Sequence, residues 1–169
     1  MRRPLLQDAF GHHAWATLRL IDTCLSLSQE QLATAVPGTY GSILETMRHL
    51  VGADSSYLFV IGGGRTPAVD ADQMDLPALR AVMESHALAW PALLAQDLDP
   101  DVILVRHRDD GSESHAPVGI RIAQVLHHGT DHRSQVCTAL TALDVEPPAI
   151  DAWDYATAHD RIVQTPPRS

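Results

Sequence analysis

Apolar residues recur at intervals of three and four along most of this 169-residue chain, the spacing that gathers side chains on one face of an α-helix. From residue 5 to about residue 27, Phe10, Ala14, Leu18, Ile21 and Leu25 keep that spacing with no internal proline, which predicts a first long helix. Ser28 and Gln31 then form a capping box, predicting a short helical turn before an irregular link over 35–41. A second box, Ser42 with Glu45, launches a helix through Leu44, Met47, Val51, Leu58 and Ile61 that stops at Gly62-Gly63-Gly64. Glycines, Pro67 and two acids over 62–74 read as a surface loop. Asp75 caps a third helix through Leu79, Val82, Met83, Leu88, Leu93 and Leu94, where Pro91 is expected to kink or split it.

The period then changes from three and four to two. Positions 102 to 107 alternate apolar and polar, and Asp109-Asp110-Gly111 is a turn signal, so a short hairpin ending near Ala116 is predicted. Pro117 suits the start of a fourth helix, whose stripe is Val118, Ile122, Val125, Val136, Ala139 and Leu143. Val145-Glu146-Pro147-Pro148 ends it, and Asp151 caps a brief last helix before a tail with Pro166 and Pro167. Four long helices with longer crossings between some of them predict an all-α protein, a four-helix bundle with a short β-hairpin before the last long helix. With 45% hydrophobic residues, 169 residues suffice for one domain, taken as 1–169.

Charge and cysteine usage narrow the function classes. Twelve Lys and Arg against twenty-one Asp and Glu leave a formal charge of −9, which repels a phosphate backbone and argues against nucleic acid as a partner. No apolar run reaches a membrane span, and Met1-Arg2-Arg3-Pro4 leads into an amphipathic segment rather than a signal-peptide core, so a cytoplasmic protein is expected. Cys24 and Cys137 each fall within an apolar helical pattern and read as buried thiols.

Ten histidines change the picture further. His128 and His132 stand one helical turn apart, so both imidazoles leave the same face, and the apolar stripe of the fourth helix passes through Gly129 and His132. Two neutral imidazoles can bind a metal ion but do not make a tight site, which calls for a third ligand. His49 on the second helix is the natural one, because its same-face neighbours Thr46, Gly52, Ala53 and Ser56 are all small and leave room for a metal and a ligand, with Tyr57 at the border. Three imidazoles without thiolate or carboxylate suit zinc, and would also take nickel, copper, cobalt or iron. Three protein ligands with an open position is the catalytic type of zinc site. His127 lies about a quarter-turn from His128 and is read as exposed or as a neighbour of the ligands. His12, His13, His86, His107, His115 and His159 are read as surface or packing residues. Asp54 and Asp131 are candidate partners for a ligand imidazole N–H, with Asp131 expected to face solvent. Arg133 and Gln135 are read as fixing helix ends and loops or touching substrate, and Trp15 and Tyr57 as core or pocket wall.

These motifs resemble the DinB-like metal-binding proteins, with their YfiT-type and mycothiol-dependent isomerase relatives. The resemblance rests on His-Ala-Trp at 13–15, Leu-Ser-Gln-Glu-Gln-Leu at 27–32, Gly-Ser-Ile at 41–43 leading to His49-Leu50, Asp-Gly at 110–111, His128-Gly-Thr-Asp-His132-Arg-Ser-Gln135, and the Glu-Pro-Pro that closes the fourth helix. It implies an up-up-down-down bundle, a homodimer, and a divalent metal held by His49, His128 and His132, with Tyr57 and Trp15 carried as candidate walls for a bound cofactor. It does not fix one activity, and three functions compete. The first is a thiol S-transferase or thiol-dependent isomerase using a low-molecular-weight thiol; the others are a metal-dependent hydrolase and a non-catalytic, stress-related metal-binding protein. Two departures, Ser134 in place of the usual glycine and Tyr57 in place of the usual tryptophan, point to a differently shaped pocket.

Overall fold

The structure is a computed structural model that describes residues 5–108, 110–163 and 165. The Met1-Arg2-Arg3-Pro4 start, Asp109 of the predicted turn, and Pro166 and Pro167 of the tail lie outside the described residues. The described elements are α1 (Gln7–Cys24), α2 (Gln29–Leu32), α3 (Ile43–Ile61), α4 (Leu76–Leu94), β1 (Ile103–His107), β2 (Glu113–Pro117), α5 (Val118–Ala142) and α6 (Ala152–Ala158). The protein is mostly helical, with one two-stranded antiparallel hairpin immediately before α5. No helix among the described residues is long and apolar enough to cross a membrane.

Local signals set most helix starts. Ser28 and Ser42 both form complete capping boxes, with Gln31 and Glu45 reaching back to the cap backbone. Asp75 accepts from the Ala78 N–H at the start of α4. α1 is shorter than predicted because Leu25 already caps it and Leu27 N–H turns back to the Cys24 carbonyl. α4 runs through Pro91 as one element to Leu94, so the expected split does not occur.

α1 packs on α4 and α5, and α3 packs on the same two helices, so the four long helices form a ring. Two apolar clusters fill it. The first joins Leu20, Ile21 and Cys24 of α1 to Ile43 and Met47 of α3, Leu79 and Met83 of α4, and Val136 and Leu140 of α5. The second joins the opposite ends, through Phe10, Leu58, Ile61, Trp90, Leu93, Val118 and Val125. α1 and α5 therefore run from the second cluster to the first, and α3 and α4 run the other way. That order is up-down-down-up, a correction to the expected up-up-down-down. The reason lies in residues 62–75, which return along the side of α3 instead of turning tightly. Val69 N–H donates to Ser55 Oγ at 2.9 Å, Ala71 is buried against Gly52, and Arg48 Nε donates to the Met74 carbonyl at 2.7 Å. A stretch read as a surface loop is thus a strap with a buried residue of its own.

The hairpin is fastened rather than loose. Arg121 of α5, itself buried, donates to the carbonyls of Leu104 and Ser114 at 2.8 and 2.9 Å, tying both strands to the helix that follows them. Gly111 takes a positive φ of 81° in the turn, the region that favours glycine. β1 alternates, with Leu104 packed against the second cluster and the next residue on the same face being Arg106.

Candidate metal centre

α3 brings His49, and α5 brings His128 and His132, to one point between the two helices, where all three offer nitrogen atoms within 4.8 Å of one another. The ring centroids of His128 and His132 are 4.4 Å apart, and those of His49 and His132 are 4.8 Å apart. His49 and His128 turn their Nε2 atoms directly toward each other at 3.0 Å. A tetrahedral zinc with nitrogen ligands at about 2.0–2.1 Å separates its donor atoms by roughly 3.3 Å, a spacing that His49 and His128 approach at 3.0 Å, with a His132 nitrogen inside the 4.8 Å group. His132 is buried, while His49 and His128 are partly buried and border open space.

The tautomer of His132 is set by a neighbour. Its Nδ1 lies 3.0 Å from Gln135 Oε1, and that same oxygen accepts from the Tyr40 backbone N–H at 3.0 Å. A carbonyl oxygen can only accept, so Nδ1 carries the hydrogen and Nε2 keeps its lone pair for a ligand. Packing also disfavours charge on two of the three rings, His49 and His128. Burial lowers the pKa of His49, helped by the neighbouring His132. Burial, then His132 and His49, push His128 down to about 4. At neutral pH these two imidazoles are in the form that binds metal.

Tyr40 completes the centre and was not anticipated. Its ring stacks on His49 at 4.1 Å and meets His132 edge-on at 5.4 Å. Tyr-Gly directly ahead of the capping box that launches the His49 helix is the only local signal that could have drawn attention to it.

Two cavities flank His49. A smaller one, about 240 Å³, is lined by His49, His128, Gly52, Ala53, Ser56, Tyr57 and Arg106. The small face of α3 and Tyr57 therefore do border space at the imidazoles, Tyr57 lying 6.4 Å from the His128 ring. A larger one, about 630 Å³, opens between Tyr40, Glu45, Arg48 and the strap residues Asp72 and Gln73. Trp15 lies elsewhere. Its ring contacts are His12 on α1, Tyr155 on α6 and His159 beyond it, with the Arg19 guanidinium 5.1 Å above, so it walls no space at the three histidines.

The other polar residues sort themselves by burial. Asp54 does not reach the three histidines; it takes His13 Nε2 at 3.0 Å, His86 Nδ1 at 2.7 Å and Trp90 Nε1 at 3.1 Å. His13 and His86 are thus members of a buried polar network, not surface residues. Arg133 donates to His13 Nδ1 at 3.1 Å and to Thr17 at 3.2 Å. A guanidinium has no acceptor, so Nδ1 of His13 accepts and its Nε2–H points at Asp54. Burial alone would raise the Asp54 carboxyl, but the hydrogen bonds from His13 and His86 and the attraction of both rings outweigh it and hold the pKa well below the usual carboxylate range. Burial also brings Arg133 down to about 10, against the attraction of Asp54. Gly129 makes this possible, because a Cβ there would stand 2.5 Å from the His13 ring. His127, Asp131 and Ser134 are exposed, and His107 and His115 pair with Glu113 on the hairpin surface. Cys24 and Cys137 pack in or against the first cluster, and burial pushes the Cys24 thiol up to about 12 and raises that of Cys137.

The sequence profile of the DinB family matches residues 1–166, so the chain belongs to the DinB family. No curated protein matches it.

Proposed function

We propose that this DinB-family chain holds a divalent metal through His49, His128 and His132, zinc in the first place and nickel in the second, and acts as a thiol S-transferase or thiol-dependent isomerase on a low-molecular-weight thiol. The observation that carries this reading is the convergence of three imidazoles beside a small cavity lined by no cysteine and no carboxylate. Such a donor set suits a transition metal, and three protein ligands would leave it room for a further, exchangeable one. A metal bound there supplies a Lewis-acid charge, which favours the deprotonated form of a thiol near neutral pH.

The chain's own residues do the rest. Gln135 keeps His132 in the ligating tautomer, Tyr40 shields His49 on one side, and Gly52, Ala53 and Ser56 leave room for a small molecule that Tyr57 borders. Neither protein thiol serves as nucleophile, since both are shifted up by burial and packed in or against the first cluster. The nucleophile is therefore brought in from solution. Hydrolysis is the weaker reading, because no carboxylate lines the smaller cavity that His49 and His128 share, and Glu45 and Asp72 line the larger one on the other side of His49. We carry forward a homodimer, a cytoplasmic location and a single domain as parts of the same proposal.

Cobalt-substituted protein titrated with mycothiol, bacillithiol, glutathione and cysteine tests it. A sulfur-to-metal charge-transfer band with at least one of them, together with thiol-dependent conjugation of a generic electrophile, is the expected result. If no thiol gives a band and turnover of an ester proceeds without thiol, hydrolysis replaces the proposal; metal binding with neither activity favours a non-catalytic protein.

A further inference from the structure

The smaller cavity beside His49 and His128 has one cationic wall. Arg106 reaches it from β1, while Ser56 and Tyr57 bring hydroxyls from α3 and Gly52 and Ala53 bring small apolar surface. Alternation along β1 puts Arg106 on the same face as Leu104, whose side chain packs onto the second apolar cluster, so that face is directed toward the bundle. The strand is held in place by Arg121, which binds the Leu104 and Ser114 carbonyls, and Ser114 is the residue paired with Arg106 across the hairpin. Among the described residues, no carboxylate, carbonyl or hydroxyl pairs with the Arg106 guanidinium. The other arginines that line cavities differ in this respect: Arg48 donates to the Met74 carbonyl, Arg65 to the Gly62 carbonyl, Arg133 to His13 and Thr17, and Arg161 is paired with Asp8. Arg106 is exposed, so its guanidinium stands at the open rim of the cavity, within reach of a ligand entering from solvent, in a chain of net charge −9.

We infer that Arg106 is the specificity-determining residue of this site and that it selects a small substrate bearing a carboxylate. A guanidinium presents a planar fork of donors that matches one carboxylate in two parallel hydrogen bonds. One such fork, with no lysine or second arginine in the cavity, suits a monoanionic carboxylate better than a phosphate dianion. The size agrees. About 240 Å³ holds on the order of eight water-sized groups, which admits a short-chain acid and excludes a nucleotide. The other end of such a molecule would face His49 and His128, so the carboxylate orients the donor atom toward the imidazoles. This inference rests on the proposed metal-and-thiol reading for the identity of that donor atom, but the role of Arg106 depends only on a ligand at the three histidines.

The test uses cobalt-loaded protein and two pairs of probes that differ only by a carboxylate or its absence: 3-mercaptopropionate against 2-mercaptoethanol, and 4-imidazoleacetate against imidazole. Affinities are read from the cobalt absorption bands of the native protein and of Arg106→Gln, with Arg106→Lys as the charge-retaining variant. The acid of each pair should bind the native protein about fivefold more tightly than its neutral counterpart, the effect of one partly exposed ion pair. Arg106→Gln should abolish that preference while leaving metal content and neutral-probe affinity unchanged, and Arg106→Lys should retain part of it. A preference seen with the imidazoles alone would uphold the role of Arg106 and count against the thiol reading. Equal affinities within each pair, or a preference that survives Arg106→Gln, would overturn the inference even if both thiols bind.

Discussion

Gln135 makes the most specific contribution of any residue that is not itself a ligand, because a single amide oxygen fixes the tautomer of His132 and at the same time holds the Tyr40 backbone. Partners of this kind are worth about 10- to 100-fold in metal affinity, so Gln135→Leu should weaken zinc binding by that order in competition with a chromogenic chelator, with the circular dichroism unchanged. Asp54 acts on stability instead. Its folded pKa is depressed, so its contribution is fully present above the unfolded value of about 3.9 and is lost as pH falls below it. Asp54→Ala leaves His13, His86 and Arg133 buried without their anion, at a cost of about 3–5 kcal/mol. Urea unfolding should show that difference from pH 5 to 7 and show it shrinking below about pH 4. Gly129 belongs with Asp54. Gly129→Ala gains about 1 kcal/mol of helix propensity but forces a Cβ into the His13 ring, and overpacking of about 1–3 kcal/mol outweighs it. A lower melting temperature is expected, and a higher one would show that the ring moves aside freely.

At the scale of elements, what a helix announces about itself was readable, and what one element does to another was not. The capping boxes at Ser28 and Ser42, the Asp75 cap and the hairpin before α5 are local chemistry, and each stands where the residues predict it. His128 and His132 were readable together because one helical turn relates them within one element, and His49 because its neighbours on α3 are small. Tyr40 was not, since only the tertiary approach of the 35–41 link to α5 lays its ring on His49. Arg106 was hidden by its strand, whose side-chain direction matters only once the hairpin is fastened across α3. Trp15 read as core or pocket wall, and α6, too short to carry a clear period, claims it instead. The direction of α3 and α4 escaped for a similar reason, because residues 62–75 hold no repeat that shows them returning along α3. Since Ser42 caps the helix that carries His49, Ser42→Ala should lower stability by about 1 kcal/mol, measured as a shift of the urea midpoint at unchanged m-value. No shift would mean that packing alone defines the start of α3.

The whole molecule is a ring of four helices with its own two apolar clusters, His49, His128 and His132 standing at the side of the ring between α3 and α5. Cohesion and metal binding are therefore separable, and metal-free protein should keep its helical circular dichroism, in contrast to small domains that fold only around their metal. A homodimer at micromolar concentration is expected in light scattering, and a monomer mass would remove that part of the proposal. The central claim is that His49, His128 and His132 together form one metal site. Elemental analysis of the native protein and of the three single alanine variants, each checked for native circular dichroism, tests it most directly. The account predicts close to one divalent metal per chain in the native protein and a large loss in each variant; full occupancy in a folded His49→Ala, His128→Ala or His132→Ala protein would contradict it.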